Sequence, residues 1–219
     1  IHLVMPVHGY LPLVRCATEA IRRTMTLPYC LWVLPNHDPL LGGAQLDPAD
    51  ASAIFARKLD TLVLHLPANA TWLYSMHSDS APLGPYWLEW LLDRIDDGVC
   101  GGFCGLAGTD LPHPCGAAYR VEWLRDTHAS FRFPEGGDVG SALPPRPVPA
   151  FLAPRPPAAL IPWWLAHADL GGLPNMRPIW AHLGGGTVGP TKRHLRHLLI
   201  QTLWPRLVHT YLDRVGVMR

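Results

Sequence analysis

The chain lacks an apolar run of the ~18 or more residues that a membrane-spanning helix needs, so no segment is expected to cross a bilayer. It also lacks an excess of one charge. Lys and Arg number 18 against 17 acidic residues, for a formal net charge of +1, which excludes a surface that is basic all over. Any nucleic-acid or membrane contact must then be local. Cysteine is scarce, five residues in all, and the odd count without paired zinc-ribbon spacing fits a reduced, cytoplasmic protein better than a disulfide framework. No internal repeat is present. No basic head with a cleavage site opens the chain, because the segment from Ile1 reads as a strand. The start without Met raises the expectation that a few preceding residues are missing.

What is present suits one α/β domain, or one domain with a small appendage: 219 residues, 48% hydrophobic and 16% charged. Ile1 to Val7 reads as a buried strand, Pro12 to Met25 as a helix with Arg22 and Arg23 at its dipole-favoured end, and Cys30 to Leu34 as a second buried strand. Asp47 followed by Pro48 marks a helix start, with the helix running to about Lys58. Leu62 to Leu66 and Thr71 to Met76 read as a third and a fourth strand, and Gly84 to Ile95 as an amphipathic helix. Val99 to Leu106 and Gly116 to Tyr119 read as strands, the latter entering a short helix around Trp123. Residues 143–157 are too rich in proline for regular helix and are expected to form an extended surface loop. Ile179 to His182 is the last strand, and Thr191 to Val215 a basic amphipathic helix. Strands alternating with helices imply a mostly parallel central sheet flanked by helices.

Cys100-Gly-Gly-Phe-Cys104, with His113 and Cys115 nearby, raises a zinc site as an alternative. The apolar, glycine-rich setting favours thiols packed as small hydrophobes.

The polar residues collect at strand ends, and in open α/β sheets ligands bind at the carboxyl ends of strands. Pro6-Val7-His8-Gly9, Pro35-Asn36-His37-Asp38 and His77-Ser78-Asp79-Ser80 each follow a strand, and His182 precedes Gly184, Gly185 and Gly186. Each alone is more often a turn or cap than a ligand. It is their combination that points to a site.

The order of these pieces resembles the family-2 glycosyltransferases of the GT-A fold. The first strand and helix, VMPVHGYLPLVRCATEAI from Val4, look like that family's opening. In LWVLPNHD, Asn36 and Asp38 stand where the family holds the nucleobase. WLYSMHSDSAPLGPYWLEWLL from Trp72 looks like the aspartate-x-aspartate metal segment, with Asp79 as its last aspartate and His77 in place of the first. HPCGAAYRVEWLR from His113 looks like the acceptor strand and helix, and PIWAHLGGGT from Pro178 like the final metal-ligand histidine, His182. The resemblance covers residues 1–190: a donor half to about 105, an acceptor half from about 106 to 190, and a tail of 191–219 outside it.

It implies transfer, with inversion, of a sugar from a UDP- or GDP-sugar to an acceptor hydroxyl. Mn²⁺ or Mg²⁺ on Asp79 and His182 would neutralise the leaving diphosphate. Pro6, His8, Asn36, Asp38, His77, Ser78, Gly184 and Gly185 would line the donor. The base would lie in FRFPEGGDVGSAL from Phe131, as Asp138 or Glu135, and Asp138 also reads as the cap of a short helix. The acceptor is a glycan, a small molecule or a modified base in nucleic acid. Trp163 and Trp164 are candidates for its platform, whereas Trp87 and Trp90 read as core. The tail helix, with Leu203 and Trp204 on its apolar face, is expected to pack on the domain, and its basic face offers peripheral membrane contact. Competing readings are an inactive relative kept as a binding scaffold and a nucleotidyltransferase. The latter wants a glycine-rich basic loop after the first strand, and none is there.

Overall fold

The computed structural model describes residues 1–7, 11–35, 48–106, 109–135, 137–146, 148–165, 168–172, 177–183 and 194–216, with backbone alone at 48–50, 163 and 194–201. Its centre is a six-stranded sheet in the order β2-β1-β3-β6-β5-β7: β1 (His2–Val7), β2 (Cys30–Pro35), β3 (Trp72–Met76), β5 (Cys100–Gly102), β6 (Gly116–Arg120) and β7 (Phe151–Leu152). The pairings β1 with β2, β1 with β3 and β5 with β7 are parallel, and β6 alone runs against its neighbours. A second sheet of three antiparallel strands has the order β4 (Ser80–Pro82), β9 (Pro178–His182), β8 (Asp169–Gly172).

Side-chain alternation splits the core between the two faces of the large sheet. Val4, Leu73, Ala117 and Tyr119 point to one face, where α2 (Pro48–His65) brings Phe55, Leu59, Leu62 and Val63 and α4 (Val121–Asp126) brings Leu124. Leu3, Met5, Tyr74, Met76 and Ala118 point to the other, covered by Ala17 and Ile21 of α1 (Leu11–Thr24) and by Trp87, Leu88 and Leu91 of α3 (Trp87–Ile95). The mixed α/β architecture with a mostly parallel, helix-flanked sheet therefore agrees with the alternation in the sequence.

Several local expectations are corrected. Leu62 to Leu66 is not a strand; α2 continues past Lys58 to His65. Phe55, Ala56, Leu59, Leu62, Val63 and Leu66 are buried at helical spacing while Leu64 is 78% exposed, so the short apolar run has period 3.6 rather than 2. Strand β2 forms, but it is only partly covered, because among the described residues it is the sheet's edge, with β1 as its one strand partner. Helix α3 starts at Trp87, three residues later than Gly84, after Tyr86 in a left-handed conformation (φ 59°). The strand expected from Val99 to Leu106 is regular only over Cys100–Gly102. The proline-dense segment carries the two-residue β7, and β8 had no counterpart in the sequence reading.

The tail helix α5 (His194–Arg214) packs on the domain, as expected, through Trp204, Val208, Tyr211 and Leu212. Leu203 instead turns outward at 39% exposure. The Arg23 guanidinium, almost wholly buried, pairs with Asp213 at 2.9 Å and ties α1 to α5. No helix among the described residues is long and apolar enough to cross a membrane.

Candidate metal centre

Sheet direction decides where the chemistry collects. Strands β1 and β3 are parallel, so the end of β1 (Pro6, Val7) and the residues after β3 (His77, Ser78, Asp79) share one edge. Strand β6 is antiparallel and pairs Met76 with Gly116, so the residues just before it, His113 to Cys115, arrive at that same edge. Strand β4 continues directly from Asp79 and pairs Ser80 with His182 of β9, which brings a residue from the far end of the chain into the group.

The result is a cluster in which ligand atoms of His77, Asp79 and His182 all lie within 4.8 Å of one another. Two donors about 2.0–2.2 Å from one ion can be no more than roughly 4.4 Å apart, so small side-chain movements would close these three on a cation. His182 Nε2 stands 3.3 Å from Asp79 Oδ1. The His77 ring lies edge-on to His182 with centroids 5.3 Å apart. Asp79 and His182 are both buried, 6% and 7% exposed, and a buried polar pair needs partners or a ligand to balance its desolvation. The residues therefore fit a divalent cation by both position and donor chemistry.

Asp169 completes the arrangement. Its Oδ2 lies 3.1 Å from His182 Nδ1, across the β8–β9 pairing that sets Asp169 opposite His182. A carboxylate on one imidazole nitrogen fixes the ring so that the other nitrogen faces a metal. Burial works against a charged imidazole at His182, but the Asp79 charge and the hydrogen bonds of Asp169 and Asp79 outweigh it and raise its pKa to about 10. Burial likewise penalises the Asp79 carboxylate, and His182 overcomes that penalty and holds its pKa well below the ordinary carboxylate range. The two form an imidazolium–carboxylate pair, and a cation bound there would take the place of that proton.

Asp138 reaches the same neighbourhood through His113, whose Nε2 lies 3.1 Å from Asp138 Oδ2. The His113 ring is 5.7 Å from His77 and 6.4 Å from His182, centroid to centroid. Asp60 of α2 holds the approach to this loop by accepting hydrogen bonds from Ser130 Oγ and Phe131 N, each at 2.7 Å. Among the described residues Asp138 opens no helix; its Oδ1 accepts the N–H of Val139, at 2.7 Å, within a turn. The hydrogen bond from His113 lowers the Asp138 pKa, against the opposing effect of burial. Its side chain is 51% exposed and can meet a substrate. Glu135 is exposed and joins no contact with the cluster among the described residues.

The remaining expected residues divide as follows. Pro6 and Ser78 are buried at the same sheet edge. His8, Asn36, Asp38, Gly184 and Gly185 lie outside the described residues. Trp87 is fully buried and Trp90 packs beside Phe103, which agrees with core roles. Trp164 is edge-on to Trp204 and Tyr211, so it anchors the tail helix. It also lines a cavity of about 550 Å³ with Arg177, Tyr211 and Arg214. The Trp163 side chain is outside the described residues. Asp169 escaped the sequence reading, and only its strand pairing could have revealed it.

Two glycines make room for the wall behind the cluster. Phe103 stacks on Trp180 with centroids 5.2 Å apart and planes 11° from parallel, and Trp180 abuts His182 at 6.1 Å. A Cβ on Gly116 would collide with the Trp180 ring, and one on Gly171 with Phe103.

Compared with known proteins, the chain matches no family model and no curated protein.

Proposed function

We propose that this chain is a metal-dependent glycosyltransferase, similar to family 2 of the GT-A fold, that inverts the sugar it takes from a nucleotide-diphosphate donor. The observation that carries the reading is the meeting of Asp79 and His182, distant in sequence, at 3.3 Å beside His77 at one edge of the parallel strands. His77 stands where the family's first aspartate would be, and its place in the cluster supports reading it as a ligand rather than a loss. That intact cluster favours catalysis over a scaffold role.

Two imidazoles and one carboxylate suit Mn²⁺ better than Mg²⁺, which prefers oxygen throughout. The cation supplies charge neutralisation for the departing nucleoside diphosphate. His77, Asp79 and His182 would hold it, and Asp169 would orient His182. Asp138 is the group best placed to take the proton of the acceptor hydroxyl. It is ionised at neutral pH, reachable from solvent, and steadied by His113 on one oxygen and Val139 N–H on the other. Its low pKa makes it a modest base, suited to accepting a proton as the glycosidic bond forms rather than before. Pro6 and Ser78, with His8, Asn36, Asp38, Gly184 and Gly185, would contact the donor, a UDP- or GDP-sugar. The acceptor classes remain a glycan, a small molecule or a modified nucleic acid. Arg206 and Arg214, exposed on α5, would offer the surface for any membrane contact.

The test is a screen of UDP- and GDP-sugars for Mn²⁺-dependent hydrolysis, run beside Mn²⁺-dependent thermal stabilisation by UDP and GDP. Stabilisation and hydrolysis together are expected. If neither nucleotide stabilises the protein in Mn²⁺, the donor site is wrong; stabilisation without hydrolysis or transfer would favour the binding scaffold.

A further inference from the structure

Beside the carboxylate–imidazole cluster lies a second group with different donors. The chain leaving β5 and the chain entering β6 continue to pair beyond the regular strands. Phe103 N–H donates to Gly116 O and His113 N–H to Cys104 O, each at 2.9 Å, and Gly105 bridges to Pro112. This narrow hairpin sets Cys104 on one arm and His113 and Cys115 on the other. The two sulfurs are 3.0 Å apart, and ligand atoms of all three residues lie within 4.8 Å of one another. Around a tetrahedral ion with bonds of about 2.3 Å to sulfur and 2.0–2.1 Å to nitrogen, ligand atoms lie roughly 3.4–3.8 Å apart. The limit of 4.8 Å admits that range, and the sulfurs would part from 3.0 Å to roughly 3.8 Å on taking up an ion.

One hydrogen bond of His113 suits a metal ligand and the other would have to yield to it. The Cys115 N–H donates to His113 Nδ1 at 3.1 Å, which marks Nδ1 as the nitrogen with the lone pair, and a metal bound there would displace that N–H, while Nε2 lies against Asp138. A carboxylate on the far nitrogen is how a ligating imidazole is held in place. Cys115, and Cys104 beside it, also pack against the apolar cluster that holds Phe103 and Trp180, but their sulfurs meet each other and have the His113 imidazole within reach, which hydrophobic packing alone does not require.

We propose that Cys104, His113 and Cys115 form a second metal site, for a thiolate-seeking divalent cation of the Zn²⁺ type, distinct from the site on His77, Asp79 and His182. On binding, each thiol gives its proton to solvent and each sulfur donates a lone pair to the ion; no electron is transferred. The two thiolates cancel the ion's double charge, so the half-buried site needs no further counter-ion. Three protein ligands leave one position for water or substrate. A hard cation would choose the Asp79 cluster instead, so the donors sort two metals across neighbouring sites. This inference does not depend on glycosyl transfer.

Cobalt titration of the reduced, metal-stripped chain tests it. A sulfur-to-cobalt charge-transfer band is expected to saturate with a single equivalent, to vanish when Zn²⁺ is added, and to persist in Asp79→Ala. The band should be lost in Cys104→Ser, a near-isosteric change at a partly buried position that the fold should tolerate. Zinc content of the wild-type protein gives a readout that needs no variant. No band in the reduced wild type, a band that survives Cys104→Ser, or one lost in Asp79→Ala would overturn the two-site proposal. So would a Cys104–Cys115 disulfide found by mass spectrometry in protein prepared with zinc present. None of these readouts uses a nucleotide-sugar, so failure here and failure of the transferase reading are separable.

Discussion

The two clusters at the sheet edge are neighbours, His77 against His113 at 5.7 Å, yet the chain assembles them by opposite means. Cys104, His113 and Cys115 are joined by one hairpin and need only its register to meet. His77 and Asp79 follow β3, whereas His182 comes from β9 and is placed by pairing with β4 on one side and β8 on the other. The first is a local site that survives if its hairpin survives. The second depends on two sheets being correctly joined. That difference also governs chemistry: the local site offers soft sulfur, the long-range one a carboxylate backed by imidazole.

The sharpest way to break the comparison is Asp79→Ala. Transfer is expected to fall about a thousandfold, equivalent to roughly 4 kcal/mol of lost transition-state stabilisation, while the fold and cobalt–thiolate band stay intact. Steady-state rates beside circular dichroism decide it, and retained activity would remove the metal from the mechanism. Next in size is Asp138→Asn, which keeps the hydrogen bond to His113 but removes the proton acceptor. Turnover should drop on the order of a hundredfold with nucleotide affinity unchanged; unaltered turnover would disqualify Asp138 as base.

A subtler change separates a ligand from the group that orients it. Asp169→Asn leaves His77, Asp79 and His182 in place but weakens the acceptor on His182 Nδ1. Mn²⁺ affinity should fall about 10- to 100-fold, read by calorimetric titration, while saturating Mn²⁺ restores most of kcat. A loss of kcat that excess Mn²⁺ does not rescue would show that Asp169 touches the substrate.

The same contrast between local and distant order explains what could be read from the sequence. Strands β1, β3 and β9 and helix α1 announce themselves through apolar runs and spacing, and the polar residues after them mark the edge where the site sits. Asp79 and His182 were legible as candidates because each ends or follows such a strand. Asp169 was not, because nothing around it distinguishes it until β8 is paired with β9. The run Leu62 to Leu66 misleads for a related reason: five apolar-rich residues fit a strand or a helix turn, and only the burial of Phe55, Leu59 and Leu62 on one stripe decides. The thiols were discounted by their glycine-rich setting. Those glycines instead let the strands approach closely enough to bring Cys104 and Cys115 together. A Cβ on Gly102, for example, would press on Pro112 at 2.7 Å and on Gly116 O at 2.9 Å.

The smallest expected effect, and the one that joins the two regions, comes from Gly116→Ala. Gly116 follows Cys115, lies opposite Met76 just before His77, and lies under the Trp180 ring that backs His182. A methyl there cannot fit without moving Trp180, which is fully buried and stacked on Phe103, the residue before Cys104. Overpacking of this kind costs about 1–2 kcal/mol, measurable as a lower midpoint in urea. Because the displaced rings touch both groups, Mn²⁺ and Co²⁺ should both bind less tightly. Asp79→Ala and Cys104→Ser, by contrast, should each harm one site alone. If Gly116→Ala weakens only one metal, the stacked rings are not a shared wall, and the two clusters are independent in packing as well as in ligands.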